Sequence, residues 1–458
     1  MAKRVLVIGL DCATPQFVFG PGRFDLFNLH QLASLGCWGP LRSCHPPITV
    51  PAWASMMSGK DPGSLGLYGF RNRRDHSYDA LFTANARAVR EPRVWDILSR
   101  HGKKVVVLGV PQTYPPQPVN GWLVSGFLAP DTRVDYTYPK TLKDEIERNV
   151  GPYILDVKDF RTDSKDRLLE QLYAMLDNRF ATARYLMREK PWDFFMMVET
   201  GVDRLHHAFW KYGDPGHPKF VPGNPYASVL RDYYRAVDRE IGRLMALTDD
   251  DTAILVVSDH GAKSMVGGVC VNQWLIDQGL LTLAEPPGRI ARIEDCRIDW
   301  ARTKAWSSGG YYARVFLNVE GREPQGIVPQ ADYERFRSDL AARIEAMVGP
   351  DGTVLGNKAY KPQELYRHVN GVAPDLIVYF GDLTWRSVGS VGYDSIFTSE
   401  NDTGPDDANH DHYGIFIMKG GAGPVGRRTD LSLMDVAPTV LDLMGVPVPE
   451  DMQGAPIR

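Results

Sequence analysis

Three apolar runs in this chain each lead into side chains that bind metal ions. Val5-Leu6-Val7-Ile8-Gly9-Leu10 runs into Asp11, Phe194-Phe195-Met196-Met197-Val198 precedes Asp203 and His207, and Ala253-Ile254-Leu255-Val256-Val257-Ser258 runs into Asp259 and His260. Carboxylate oxygens and imidazole nitrogens suit hard and borderline divalent cations, and this donor set is large enough for two of them. Asp203 and His207 are four apart, so a helix there would put both on one face, with His206 about 100° away. The charged pair Asp259-His260 after an all-apolar strand is costly unless it faces a cleft or a ligand. Each segment alone has a plainer reading: Asp11 or Asp203 as a helix cap, His207 as an ordinary core or surface histidine. Their co-occurrence at strand ends favours the metal reading, and a polar loop at 400–412 adds His410 and His412 just before another apolar run.

A nucleophile for such a site is offered by Thr49 in the segment Thr49-Val50-Pro51-Ala52-Trp53-Ala54-Ser55. Pro51 suits the first turn of a helix beginning just after Thr49, and a helix N-terminus favours a bound phosphate. Coordination to a divalent cation lowers the pKa of a hydroxyl, so no histidine base is required. The plain alternative for a lone threonine at this place is a helix cap.

Elements of two kinds must hold these residues. The three runs and a fourth at 104–110 read as buried strands, and 164–188 and 226–247 carry apolar residues at helical spacing without internal proline. Strands alternating with helices predict βαβ units and an α/β fold, a three-layer α/β/α sandwich around a mostly parallel sheet. Ligands in such folds sit beyond the carboxyl ends of the strands. After residue 264 the texture changes: 289–302 is charged and broken up, 315–319 reads as a strand and 330–348 as an amphipathic helix. We therefore expect a catalytic core of 1–264 and 401–458. Residues 265–400 would form an insertion, comprising a small cap-like α+β subdomain and strands returning to the core, 375–380 among them. A strand at 414–418 and a helix at 430–444, stopped by Gly445 and Pro447, complete the core.

A length of 458 residues accommodates this architecture. A net charge of −4 and 24% charged residues give no global attraction to nucleic acid or an anionic membrane, so any bound anion needs a local site. The five cysteines show no CxxC spacing, which argues against a disulfide framework or a thiolate zinc site. With no signal-like leader or membrane span read at the start of the chain, the expectation is a cytoplasmic protein of open oligomeric state.

The ordered motifs resemble a known family. Asp11 after its strand, Thr49-x-Pro-Ala-Trp-x-Ser running on to Ser58-Gly59-Lys60-Asp61-Pro62, Asp203-x-x-x-His207, Ser258-Asp259-His260-Gly261, and Asp435-Val436-Ala437-Pro438-Thr439 with Gly445-x-Pro-x-Pro449 look like the alkaline phosphatase superfamily. Within it they are most similar to the type I phosphodiesterase and nucleotide pyrophosphatase branch. The resemblance implies a metal-dependent hydrolase of a small phosphoester, nucleotide-containing substrates included. It implies two ions, zinc or alternatively manganese, one on Asp203, His207 and a late histidine, the other on Asp11, Asp259, His260 and Thr49. Spacing to the last core strand in related sequences selects His410, with His412 as the alternate. The implied mechanism is in-line displacement through a phosphothreonine at Thr49, which water then hydrolyses.

Departures from the pattern bear on substrate. Sulfatases need a cysteine or serine followed by x-Pro-x-Arg, absent here. Nucleotide pyrophosphatases carry an asparagine some twenty residues after the threonine, and Asn72 is the nearby candidate for phosphoryl contact, with Arg71 beside it. Other reactions on the same fold are phosphomonoester or phosphonate hydrolysis and phosphoglycerate mutase-type transfer. A metal-binding protein without catalysis is the alternative of a different class.

Overall fold

A computed structural model describes residues 2–421, 423 and 425–458. Its centre is a nine-stranded sheet in the order Gly426–Arg427, Cys37–Arg42, Tyr413–Lys419, Thr252–Val257, Arg4–Leu10, Phe194–Glu199, Val105–Leu108, Gly121–Val124, Thr137–Tyr138. The strands from Thr252–Val257 through Gly121–Val124 are mutually parallel, whereas Tyr413–Lys419 and Thr137–Tyr138 run antiparallel to their neighbours.

Side chains alternate along each central strand, so an all-apolar run buries both its faces. Leu6, Ile8, Leu10, Phe195, Met197, Ile254 and Val256 pack under the helices Phe27–Ser34, Lys165–Glu189, Gly201–Gly213 and Val229–Met245. Val5, Val7, Phe194, Met196, Val198, Leu255 and Val257 pack under Thr49–Ser58, Val94–Arg100 and Val436–Leu443. Two cores on opposite faces of one sheet make the three-layer sandwich.

The strands Thr252–Val257, Arg4–Leu10 and Phe194–Glu199, the first two followed by Asp259 and Asp11, are neighbours in that order. Gly9 stands opposite Val257 on one side and Val198 on the other, so all three chains leave the sheet at one edge. Immediately beyond it, Gly261–Ser264 pairs antiparallel with Ala408–Asp411, Ala262 opposite His410. This short ribbon brings a late segment of the chain back to the edge where the early ones end.

Among the described residues, 265–400 contributes no strand to the large sheet. It forms a four-stranded sheet of Ala305–Ser308, Ala313–Leu317, Lys358–Tyr360 and Leu376–Tyr379, and a three-stranded one of Gly267–Cys270, Trp385–Val388 and Phe397–Thr398. With the helix Tyr333–Glu345 these enclose a separate core around Leu275, Val315, Leu340 and Phe380. The expectation that 375–380 returns to the main sheet is therefore corrected. That run pairs on both edges inside the insertion, with Ala313–Leu317 and Lys358–Tyr360, and apolarity alone does not tell a strand which sheet to join.

One glycine in the central strand is dictated by packing. A Cβ on Gly9 would come within 2.5 Å of Trp53 Cη2 and 2.8 Å of Val198 Cγ2, so the indole lies directly over the bare backbone. Gly9→Ala should lower stability by about 1–3 kcal/mol through overpacking. Urea unfolding with an unchanged midpoint would show that the indole can yield.

Candidate active site

Sheet and ribbon deliver six polar side chains and one hydroxyl to the same edge. Asp11 follows the first strand, Asp203 and His207 lie on the helix Gly201–Gly213, Asp259 and His260 follow Thr252–Val257, and His410 lies on Ala408–Asp411. All are buried. Thr49 is the first residue of the helix Thr49–Ser58 rather than the one preceding it, as the sequence suggests; its amide and that of Val50 precede the first intrahelical bond, from Ala52 N to the Ile48 carbonyl at 3.0 Å. Its Oγ1 is 3.4 Å from His260 Nε2.

The distances divide the donors into two groups. Asp203 Oδ1 is 3.3 Å from His207 Nε2 and 3.7 Å from His410 Nε2. His260 Nε2 is 3.1 Å from Asp259 Oδ2 and 3.7 Å from Asp11 Oδ1. His260 borders both groups: its ring stacks on His410 with centroids 3.9 Å apart, and it also falls within 4.8 Å of the ligand atoms of Asp203 and His410.

Each donor is fixed by its other polar atom. His207 Nδ1 is 2.8 Å from Asp406 Oδ1 and 3.0 Å from the Ala408 carbonyl, His260 Nδ1 donates to the Gly261 carbonyl at 3.1 Å, and His410 Nδ1 donates to the Pro47 carbonyl at 2.8 Å. A ring with its proton on Nδ1 presents the Nε2 lone pair inward. Trp53 Nε1 donates to Asp11 Oδ2 at 2.9 Å, Arg204 Nη1 to Asp203 Oδ2 at 2.5 Å, and the Cys12 amide to Asp259 Oδ1 at 3.2 Å. Cys12 adopts a left-handed backbone, φ 66°, to make that last bond, a local strain of the kind found at functional sites.

What remains is a set of buried atoms that satisfy nothing else: Asp11 Oδ1, Asp203 Oδ1, Asp259 Oδ2, His207 Nε2 and His410 Nε2 all lack a hydrogen-bond partner. Buried polar atoms are normally paired. A convergent set of oxygen and nitrogen lone pairs fits divalent cations of the zinc or manganese type.

Without an ion the charges divide the site: burial resists protonation of His207, but Asp406, Tyr311 and Asp203 outweigh it and hold that imidazole well above its ordinary value, so a cation would have to displace its Nε2 proton. Burial, then the Asp203 charge, pushes Asp11 well above the usual carboxylate range, and burial, then Asp11, does the same to Asp259. Burial resists ionisation of Asp203 as well, but His207 and Arg204 outweigh it and hold that group well below its ordinary value. Burial pushes His260 down to about 4 and His410 well below its ordinary value, so both are neutral near pH 7 and free to donate a lone pair.

A cleft of about 570 Å³ opens over these groups, with Thr49, Asp203 and His410 in its floor. Phe70, Phe127, Phe160 and Tyr311 contribute apolar wall, and six arginines, Arg71, Arg161, Arg204, Arg292, Arg314 and Arg386, line it as well.

Several residues that the sequence offers as candidates lie elsewhere. His412 turns away and faces Asp382 Oδ1 at 3.3 Å, so His410 is the late histidine that reaches the donor cluster. Asn72 braces a turn, its Oδ1 accepting from the Tyr68 amide at 2.7 Å and its Nδ2 donating to the Gly69 carbonyl at 2.9 Å, and it does not line the cleft over Thr49 where the sequence places a phosphoryl contact. Arg71 does line the cleft. His206 is held by the Tyr234 hydroxyl at 3.1 Å, away from the cluster. Asp406 is a residue of the site that sequence reasoning misses: it holds His207 and pairs with Arg161 and Arg386, both at 3.1 Å. Its position inside the polar loop before the last core strand is the one available signal.

The family model described as Type I phosphodiesterase / nucleotide pyrophosphatase matches residues 5–410. The chain belongs to that family. Human ectonucleotide pyrophosphatase / phosphodiesterase 5 is similar in structure, with TM-score 0.56 and 12% identity over 99% of this chain and 97% of that one. The murine protein of the same name gives TM-score 0.55 and 13% identity over 98% of this chain and 97% of that one. Its inactive variant in complex with AMP gives the same values, TM-score 0.55, 13% identity, and 98% and 97% coverage. At such identities the likeness shows the shared α/β fold. Comparison with curated protein sequences gave no match. This phosphodiesterase-family chain is a hydrolase of phosphoric esters. Among its described residues no helix is long and apolar enough to cross a membrane.

The crowded carboxylates make a prediction about stability. Asp11 and Asp259 have values raised above the ordinary 3.8, so the stability tied to their protonated forms is complete below about pH 4 and is lost as pH rises through the raised values. In protein stripped of divalent ions, Asp11→Asn should be more stable than wild type at pH 8 by roughly 1–3 kcal/mol. The two should converge toward pH 4. Denaturant titrations at both pH values test this, and a less stable variant at pH 8 would contradict it.

Proposed function

We propose that this chain is a two-metal phosphodiesterase of the nucleotide pyrophosphatase type, acting through a phosphothreonine at Thr49. The observation that carries the proposal is the set of unpartnered buried donor atoms beside the Thr49 hydroxyl. Asp203, His207 and His410 would hold one ion, and Asp11, Asp259 and His260 the other, with Thr49 Oγ1 adjoining. Zinc is the ion we assign, with manganese the alternative, because three imidazoles among six donors suit these borderline ions better than magnesium or calcium. Bound there, the ions would supply Lewis-acid stabilisation to attacking and leaving oxygens.

The chain's own groups account for the rest. The Thr49 and Val50 amides precede the first intrahelical bond and would be available to the charge that develops on a phosphoryl group. Thr49 Oγ1 gives its proton to solvent water and attacks phosphorus in line, forming the Thr49 phosphoester as the bond to the alcohol oxygen breaks and that oxygen takes a proton from water. In the second step a water oxygen attacks phosphorus, the bond to Thr49 Oγ1 breaks, the hydroxyl is restored and the phosphomonoester is released. The aromatic wall limits water on one side of the cleft. The description of the murine neighbour, in which an inactive variant is complexed with AMP, supports a nucleotide-containing ester. The five unpaired cysteines, four of them buried, support a reducing compartment such as the cytoplasm.

Thr49→Ala should retain bound metal but lower turnover of bis-p-nitrophenyl phosphate roughly 10³-fold or more. A wild-type rate from metal-loaded Thr49→Ala protein would rule out the phosphothreonine route. Comparing diester with monoester and phosphonate ester separates the proposed reaction from its relatives on this fold.

Asp406→Asn should weaken metal affinity about 10–100-fold, because it removes the charge that orients His207. Competition with a chromogenic chelator measures the change. Unaltered affinity would mean that the Ala408 carbonyl alone suffices to hold the ring.

A further inference from the structure

The cationic groups of the cleft are not all balanced. Arg204 is matched by Asp156 at 2.7 Å and Asp203 at 2.5 Å, while Arg161 and Arg386 share the single carboxylate of Asp406. Arg292 faces Glu294 at 3.6 Å and Asp295 at 3.9 Å, whereas among the described residues Arg71 and Arg314 have no acidic partner within ion-pair distance. Yet Arg314 is not loose. Its Nη1 donates to the Arg71 carbonyl and its Nη2 to Ser308 Oγ at 2.9 Å, so two neutral oxygens fix the guanidinium while its charge stays uncompensated.

The backbone makes room for it. A Cβ on Gly69 would stand 2.7 Å from the Tyr312 hydroxyl and 3.3 Å from Arg314 Nη1, so the turn preceding Arg71 is shaped around this side chain. A guanidinium has five N–H donors, and a fork held in place with donors to spare suits an oxyanion. The overall charge of −4 gives no reason for positive charge to collect on this surface.

We infer that Arg314, with Arg71, forms a subsite for a second anionic group on the substrate, separate from the scissile phosphate over Thr49. The inference rests on the phosphodiesterase reading for the position of that phosphate. Arg314 comes from the inserted sheet and Arg71 from the core hairpin Arg71–Arg73 with Leu81–Thr83, so the subsite is assembled from both parts of the chain. A charge-assisted contact of this kind contributes about 1.5–3 kcal/mol, which converts to tenfold or more in affinity. Carboxylate and phosphate share the required chemistry.

The test uses three matched aryl diesters with the zinc-loaded full chain: p-nitrophenyl phenyl phosphate and its 4-carboxyphenyl and 4-phosphonophenyl counterparts. The wild type should favour at least one charged ester over the neutral one tenfold or more in kcat/KM, chiefly through KM. The preferred arm tells carboxylate from phosphate. In Arg314→Gln that ratio should fall to about one, and Arg71→Gln, at an exposed position, provides a second variant if the first does not fold. Calorimetric titration of the same esters into Thr49→Ala protein reads the preference independently of turnover. Turnover of none of the esters with a retained affinity difference would sink the phosphodiesterase reading and keep the subsite. Equal affinities for charged and neutral esters would overturn the subsite.

Discussion

Three carboxylates that repel one another are buried at one edge of a sheet, and the surroundings are organised around holding them there. Asp11, Asp203 and Asp259 each give one oxygen to a fixed donor, an indole, a guanidinium and a strained backbone amide respectively, and aim the other at a common space. Burying even one unpaired carboxylate is unfavourable. A site built this way is stable only in partnership with positive charge, and it accepts a weaker apo state in exchange for a preorganised one.

Contacts between separate segments of the chain tie that arrangement together. Trp53 joins the helix of Thr49 to Asp11, and Gly9 leaves the space the indole needs. Asp406 joins His207 to Arg161 and Arg386 on the cleft wall. Tyr311, from the insertion, stacks on both His207 and His410, with centroids at 4.8 and 4.2 Å. The helix of Thr49, the donors and the cleft wall are thus one packed unit.

Much of this is legible in the sequence, for identifiable reasons. Runs such as 5–10 and 253–258 are apolar throughout because both faces are buried, and the charged residues at their ends must face something polar. The i, i+4 spacing of Asp203 and His207 survives in the helix as a 3.3 Å contact. The illegible parts are those decided by tertiary pairing. Leu376–Tyr379 reads like a core strand but lies in the insertion, and Asn72 looks like a ligand-binding amide but closes a turn. Asp406 and Arg314 each owe a decisive contact to a residue about two hundred or more positions away, His207 and the Arg71 carbonyl, which no local pattern encodes.

The ribbon formed by Gly261–Ser264 and Ala408–Asp411 acts as a neck. Everything from 265 to 407 leaves and re-enters the core through two hydrogen-bonded strands, so topologically it is the loop of a hairpin, however elaborate. The entropy of closing a loop grows only slowly with its length. Segments of this excursion that do not touch the site can therefore change in length at small entropic cost, while Tyr311 and Asp406, which brace His207 and His410, must stay. Chemistry and selectivity can in this way diversify on separate schedules within a single polypeptide.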